Sequence, residues 1–316
     1  MTTALVLDRA AVEAAVSPKH AVEAVRDAFV AHARGEWSMP PKVYVTNYPA
    51  GDFRAMPALG GGHALLKWIT SFPGNPARGL PTVTGIVLVS DAATGELQAV
   101  LDAASVTALR TGAAAVLAAE TLGRADAASA AVIGAGVNGR AAARTFLARG
   151  RTVALWDVDA SRATEVAAEL GCSVAGSREE ALTADLLVTV TPGHEVVLGE
   201  RTLQPGQHVS LMGADGPGKA EVADSVLAHA RLFCDDWEQA SHGGELAHAV
   251  EAGLLAENDV TAIGAVLAGT ATGRTNDQEI TMFDSTGLAI QDLAIALAAL
   301  DGAGRAGRAG LPRLEL

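Results

Sequence analysis

The sequence predicts an α/β protein with a doubly wound parallel sheet, preceded by a sheet region of different character. Three features carry this. From residue 129 onward, strand-like apolar runs alternate with helix-like segments, the pattern of a parallel sheet covered by helices. Between residues 41 and 101, short runs rich in β-branched and aromatic residues are cut by turn signals, which predicts an antiparallel or mixed sheet. Alanine and glycine dominate a chain that is 49% hydrophobic and 4% aromatic, a composition suited to close helix–strand packing rather than to a β-sandwich. At 316 residues the chain has room for two domains.

Taken in order, residues 9–34 are expected to form two helices. Asp8 is a suitable cap for the first. Ser17-Pro18 gives the second an N-cap followed by proline at the first helical position, where no amide is missed. Val22, Val25, Ala28 and Phe29 recur at helical spacing, and Gly35 ends the run. Five strand-like runs follow: KVYVTNY, FRAMPA, ALLKWITSF, TGIVLVS and ELQAVLD. They are divided by Pro49-Ala50-Gly51, Gly60-Gly61-Gly62, Pro73-Gly74-Asn75-Pro76 and Thr94-Gly95. A long helix is expected over 105–122. SAAVI then reads as a strand, GAGVNGR as a glycine turn, AAARTFLARG as a helix, TVALWD as a strand and ATEVAAELG as a helix. DLLVTVTP and HVSLMG read as two more strands. A helical stretch is expected at 285–300, and the tail DGAGRAGRAGLPRLEL is expected to be poorly ordered. No internal repeat is visible.

The glycine turn carries the first functional signal. Gly134-Ala135-Gly136-Val137-Asn138-Gly139 matches GxGxxG, with an apolar strand before it and a helix-forming segment after it. The first glycine makes the tight turn and the second lets the backbone approach a pyrophosphate. The third lets helix and strand pack closely, with the helix N-terminus toward the phosphates. Asp157 ends the next strand, 18 residues beyond Gly139. There a carboxylate accepts hydrogen bonds from the adenosine ribose hydroxyls and repels a 2′-phosphate, which favours NAD(H). Arg162 nearby leaves NADP(H) as the alternative. Val137, Asn138, Thr191 and Arg110 are further candidate cofactor contacts. The reading is a Rossmann dinucleotide-binding domain.

The net charge of −13 disfavours nucleic acid and anionic lipid as partners. Cys172 and Cys234 form neither a disulfide framework nor a CxxC pair, which fits a reducing cytoplasm. The start, MTTALVLDRA, does not read as a signal peptide, and no uncharged apolar run approaches the ~18 residues of a membrane helix. The histidines show no metal-ligand spacing. His242 and His248 are six apart with Glu245 between them, which does not match HExxH, so no metal is expected.

Segments beyond the glycine turn resemble the ornithine cyclodeaminase/mu-crystallin family: RAMPA at 54–58, Lys67 on its strand, FPGN at 72–75 and GLPTVTG at 79–85. LRTGAAA at 109–115, GADGPGK at 213–219 and EITMFDSTGLAIQDLA at 279–294 continue the series. The resemblance spans nearly the whole chain in the family's order. It implies a Rossmann domain, 116–291, inserted in an α+β substrate-binding and dimerisation domain, 1–115 plus 292–316, and hence a homodimer. It also implies hydride transfer between nicotinamide and the α-carbon of an amino acid or its imine. By the same resemblance Lys67 and Arg110 hold the substrate carboxylate, with Lys42 standing where many relatives have arginine. Asp215 matches the catalytic aspartate that shuttles a proton at the α-nitrogen, alongside Lys67, and Lys219 supports its loop. Ser285 and Thr286 match a loop near nicotinamide and substrate. Taken alone, Lys67 would read as a snorkelling surface lysine and Asp215 as a turn residue.

Arg54 bears on the substrate. The cyclodeaminases of this family typically carry glutamate there, for the substrate's terminal amino group, which arginine would repel. A basic residue resembles the alanine dehydrogenase branch and many imine reductases. The expected activity is therefore an NAD(H)-dependent oxidoreductase acting on a CH–NH or C=N bond of a small α-amino or α-imino acid. The leading pairs are alanine/pyruvate with ammonia and proline/Δ1-pyrroline-2-carboxylate. The alternatives are an ornithine cyclodeaminase, which forms proline and ammonia, and a non-catalytic dinucleotide- or ligand-binding protein of the crystallin kind.

Overall fold

The computed structural model describes residues 3–193, 195–199, 202–214, 216, 218–306 and 310–315. The chain divides into two units, Met1–Arg110 with Leu288–Leu316, and Thr111–Gly287.

The first unit opens with β1 (Thr3–Leu7), α1 (Arg9–Ala15) and α2 (Pro18–Ala33). Both helices start where their side chains cap them: Asp8 accepts from the Ala11 amide at 2.9 Å and Ser17 from the His20 amide at 3.2 Å. Five strands follow, β2 (Val43–Asn47), β3 (Gly51–Gly60), β4 (His63–Ser71), β5 (Val83–Asp91) and β6 (Leu97–Asp102), and then α3 (Ala103–Leu122) begins. β2 to β6 form an antiparallel meander, while β1 adds to β6 in parallel, so the sheet is mixed. The period of two is plain in β4: Leu65, Lys67 and Ile69 are buried, whereas Leu66 and Trp68 are exposed.

The second unit holds an eight-stranded sheet with parallel pairings throughout its described residues. Its elements are β7 (Ser129–Ile133), α4 (Val137–Ala148), β8 (Thr152–Trp156), α5 (Ala160–Leu170), β9 (Ser173–Val174), α6 (Arg178–Ala181), β10 (Leu186–Thr189) and β11 (His208–Leu211). They continue with α7 (Asp224–Leu227), β12 (Arg231–Cys234), α8 (Trp237–Gly243), α9 (Ala247–Glu251), β13 (Val260–Ala262), α10 (Ile263–Leu267) and β14 (Thr281–Asp284). The strand order is β13-β12-β14-β11-β10-β7-β8-β9. Ala131, Ile133, Leu187, Val209, Leu211 and Met282 are buried in its core. Gly112, in the LRTG segment, lets the α3 and α4 backbones touch: a Cβ there would lie 2.7 Å from the carbonyl of Ala141. His208 is fully buried, hydrogen-bonded to Thr281 Oγ1 at 2.9 Å and Ser210 Oγ at 3.0 Å, and burial lowers its pKa to about 3, so it is neutral.

The chain then returns to the first unit with α11 (Ala289–Ala306) and β15 (Arg313–Glu315). α11 packs on α2 and lies over β3 and β4. Of the tail expected to be poorly ordered, 307–309 and 316 lie outside the described residues, while 301–306 and 310–315 depart from that expectation. Its first residues extend α11, and Arg313–Glu315 pairs antiparallel with β1, Thr3 opposite Glu315. Edge pairing fixes a short strand that its Gly- and Arg-rich composition conceals. Among the described residues no helix is long and apolar enough to cross a membrane.

Candidate active site

The candidate site residues fall into two groups, one in each unit. In the second unit β7 ends at Ile133 and the turn runs into α4. Gly134 has φ +108°, and a Cβ on it would lie 2.7 Å from the Val190 carbonyl oxygen. A Cβ on Gly139 would lie 1.7 Å from the Gly134 carbonyl oxygen. Packing therefore requires both glycines. Gly136 differs: its φ of −70° and ψ of −171° suit any residue, and a Cβ there would meet nothing within 4 Å. Open approach to the backbone, rather than packing, is what a glycine at this position provides. No side chain caps α4, so its first amides, at Val137 and Asn138, carry the positive end of the helix dipole toward an incoming anion.

Asp157, at the end of β8, is buried and braces this turn. Its Oδ2 accepts from the Ala135 amide at 2.7 Å and its Oδ1 from the Asp159 amide at 2.9 Å. Carboxylate oxygens retain lone pairs beyond these for ribose hydroxyls. Arg162 stands by two carboxylates, 3.6 Å from Asp157 and 3.3 Å from Asp159. An open glycine at Gly136, an uncapped helix start and an acidic strand end fit a nicotinamide dinucleotide.

A set of buried carboxylates, not singled out by the sequence reading, organises the ends of β10, β11, β12 and β14. Glu221 accepts from Thr189 Oγ1 at 2.7 Å, from the Thr191 amide at 2.6 Å and from the Gly213 amide at 2.9 Å. Thr191 is thus held by its amide, and its Oγ1 accepts from the Gly193 amide at 3.2 Å. Burial pushes the Glu221 carboxyl upward against these bonds. Glu245 accepts from the Glu221 and Val222 amides at 2.8 and 3.2 Å; burial, reinforced by the neighbouring Glu221, raises it to about 8. Asp284 is pushed well above the usual carboxylate range by burial and by Asp235 and Glu245. Asp235 gathers the loop after β14: it accepts from the Gly287 amide at 2.8 Å, Thr286 Oγ1 at 3.1 Å and Ser285 Oγ at 3.3 Å. Both hydroxyls thus donate to Asp235, which fixes the loop after β14. Lys219 packs against Gly193, whose carbonyl accepts from the Ala220 amide at 2.9 Å. Asp215 lies outside the described residues.

In the first unit Lys67 sits on β4, opposite Met56 of β3 and Val87 of β5. It is 1% exposed, not the surface lysine its isolated sequence context suggests. Its Nζ donates to both carboxylate oxygens of Asp292 on α11, at 2.9 and 3.0 Å, and Asp292 is itself fully buried. Burial lowers the Lys67 ammonium to about 8, Asp292 opposes that shift, and Arg110 and Lys42 add to it. Arg110 Nε is 3.6 Å from the same carboxylate and has no hydrogen-bond partner among the described residues. Arg54 lies on the same face of the sheet as Lys67, by register. Its Nε donates to Asp52 Oδ1 at 2.7 Å and its Nη2 to Oδ2 at 3.3 Å, and its guanidinium stands 5.3 Å from the Tyr44 ring centroid. The structure thus brings Lys67 and Arg110 together and sets Lys42 within electrostatic reach. It adds Asp52, two residues from Arg54 on the same strand, and Asp292, whose pairing with Lys67 no local pattern announces.

A parallel doubly wound sheet with an open glycine turn and an acidic strand end defines a dinucleotide-binding protein. The ornithine cyclodeaminase/mu-crystallin family model matches residues 2–304, and the chain belongs to that family. It is 42% identical over 302 residues to the alanine dehydrogenase of Archaeoglobus fulgidus, covering 92% of each chain. Among solved structures, an archaeal alanine dehydrogenase dimer with bound NAD superposes with a TM-score of 0.93 at 40% identity, covering 99% of each chain. The Δ1-pyrroline-2-carboxylate reductase of Thermococcus litoralis, in complex with NADH and L-proline, gives 0.89 at 27% identity, covering 96% of this chain and 98% of that one.

Proposed function

We propose that this chain is an NAD(H)-dependent oxidoreductase acting on the C–N bond of a small α-amino or α-imino acid. The alanine/pyruvate pair is the first candidate, and proline/Δ1-pyrroline-2-carboxylate the second. The observation that carries the reading is that buried Lys67 and the largely buried Arg110 share one carboxylate, Asp292. Two cations against one anion leave a positive charge in a dry place, which a substrate carboxylate neutralises through charge-assisted hydrogen bonds. Arg54, ion-paired with Asp52, lies on the same face of the sheet as Lys67, and Lys42 acts on the Lys67 ammonium. An arginine at position 54 suits a carboxylate and repels the terminal ammonium of ornithine, which speaks against the cyclodeaminase reading.

Gly134, Gly136, Val137, Asn138, Gly139 and Asp157 hold the dinucleotide, with Thr191 and Arg110 as further contacts. Bound NAD(H) accepts or supplies the hydride. Asp215 is assigned the proton transfer at the α-nitrogen. Ser285 and Thr286, oriented by Asp235, are assigned to the loop near nicotinamide and substrate. Asp157 supports NAD(H) over NADP(H), since its buried carboxylate repels a 2′-phosphate.

The reading includes a homodimer. The outer face of the first unit's sheet presents Val43, Val45, Leu59, Leu66, Trp68 and Ile86 to solvent, a contiguous apolar surface of the kind a monomer rarely exposes. Assignment to the cytoplasm rests on Cys172 and Cys234 as free thiols. The test is NADH absorbance followed with purified protein across 2-oxo acids plus ammonia or methylamine, and across cyclic ketimines. Turnover with one panel supports the reading and names its substrate class. No turnover with either panel rejects it.

A further inference from the structure

We propose that Asp292 is a positioning residue that locks Lys67 and Arg110 into a two-cation clamp for the substrate carboxylate. This rests on the function proposed above and goes a step deeper, into how the clamp is built. Lys67 arrives on β4 and Arg110 on α3, and neither strand nor helix gives its cation a partner of its own. Asp292 enters from the first turn of α11, where the helix dipole favours a negative charge. Its two oxygens take two of the three Nζ protons of Lys67, at 2.9 and 3.0 Å, which leaves the third directed away from the carboxylate. The Arg110 Nε at 3.6 Å lies beyond hydrogen-bond distance, so this guanidinium is held by charge while its donors remain for an anion.

The same arrangement governs protonation. The charged groups acting on Lys67 are Asp292 from α11, Arg110 from α3 and Lys42 from the segment before β2, while its register neighbours Met56 and Val87 are apolar. Two of the three charged groups are cations, so Asp292 alone keeps the buried ammonium charged near neutral pH. Without it Lys67 loses its proton at lower pH and the clamp drops to one charge.

The experiment compares full-length wild type, Asp292→Asn and Asp292→Glu. Pyruvate binding in the presence of NAD+ is measured by calorimetry from pH 6 to pH 10, and kcat/KM over the same range with the substrate pair that turns over. Pyruvate binding by the wild type is expected to weaken on the alkaline side. In Asp292→Asn that limb moves to lower pH by roughly 1–3 units, the span an opposite charge at contact commands. NADH affinity, read by fluorescence, falls less than pyruvate affinity and shows no such shift with pH. Asp292→Glu keeps the limb near its wild-type position while kcat falls, because the charge survives and the position does not. An alkaline limb of Asp292→Asn that coincides with the wild type overturns the proposal. So does a Glu variant with wild-type kcat, which decides the matter even if the Asn variant does not fold. Binding of pyruvate without any turnover tells against the proposed reaction and leaves the clamp to be judged by the limb alone.

Discussion

Gly136 and Gly139 are chemically identical and three residues apart, yet the structure assigns them opposite sensitivities to one added methyl group. In Gly139→Ala the new Cβ would lie 1.7 Å from the Gly134 carbonyl oxygen and 2.8 Å from its carbon, so backbone must move by more than about an ångström. Overpacking of this kind costs about 1–3 kcal/mol. For a domain of this size each kcal/mol shifts Tm by about 2–4 °C, so the ligand-free protein should melt roughly 2–12 °C lower. Gly136→Ala places its Cβ in open space at a φ and ψ that alanine adopts freely. Reduced freedom of the unfolded chain and the poorer helix N-cap that alanine makes oppose each other, so the ligand-free protein should stay within about 1 kcal/mol of the wild type. The same methyl stands where a pyrophosphate approaches the backbone, and NADH affinity should fall by about tenfold or more, about 1.4 kcal/mol. Thermal melting without ligand and calorimetric titration with NADH separate the two effects. A Gly136→Ala protein that binds NADH like the wild type would refute the assignment of this turn to the dinucleotide. A Gly139→Ala protein that melts unchanged would refute the packing argument.

Three further outcomes are expected. Asp157→Ser removes the charge that opposes a 2′-phosphate, and the ratio of kcat/KM for NADPH to that for NADH should rise by about tenfold or more; an unchanged ratio would mean that Asp157 does not meet the ribose. Trp68→Glu puts a charge on the exposed apolar face of the first unit's sheet, and light scattering should find the mass halved at micromolar concentration, against an unchanged dimer if that face is not the interface. The folded protein holds the Glu245 proton up to about 8 instead of the ordinary 4.5, so it binds more protons than the unfolded chain across that window. Stability should therefore fall as pH rises from about 4.5 to about 8, and Glu245→Gln should flatten the fall in a denaturant series; an unaltered slope would show that Glu245 does not carry it. Lys67, lowered to about 8, contributes only above that pH and with the opposite sign, so it does not mask the effect.

What could be read from the sequence was what local physics encodes. Asp8 and Ser17 cap helices because a short side chain beside an apolar periodic run has one nearby use. The glycine turn was readable because strand, turn and helix succeed one another within the motif. The meander was readable from its turns. Non-local pairings were not. Asp292 stands 225 residues beyond Lys67, and an aspartate in an alanine-rich helix looks the same whether solvated or neutralising a buried ammonium. Glu221, Glu245, Asp235 and Asp284 are likewise carboxylates whose burial is decided by strands that meet only in the folded sheet. β14 consists of four residues, and β15 of three next to a Gly- and Arg-rich stretch, too short for any period to show. The family motifs supplied Lys67 and Arg110. Their shared partner came from the structure.

The central claim, that this chain moves a hydride between NAD(H) and the α-carbon of a small amino or imino acid, is tested most directly by isotope transfer. Protein is incubated with NADH carrying deuterium at both C4 positions, first with pyruvate and ammonia and then with Δ1-pyrroline-2-carboxylate, and the amino acid formed is analysed by mass spectrometry and NMR. The account predicts one deuterium per product, located at the α-carbon of alanine or proline, with one equivalent of NADH consumed. An amino acid free of deuterium, or proline formed from ornithine with no net change in NADH while both imine routes stay silent, would contradict it.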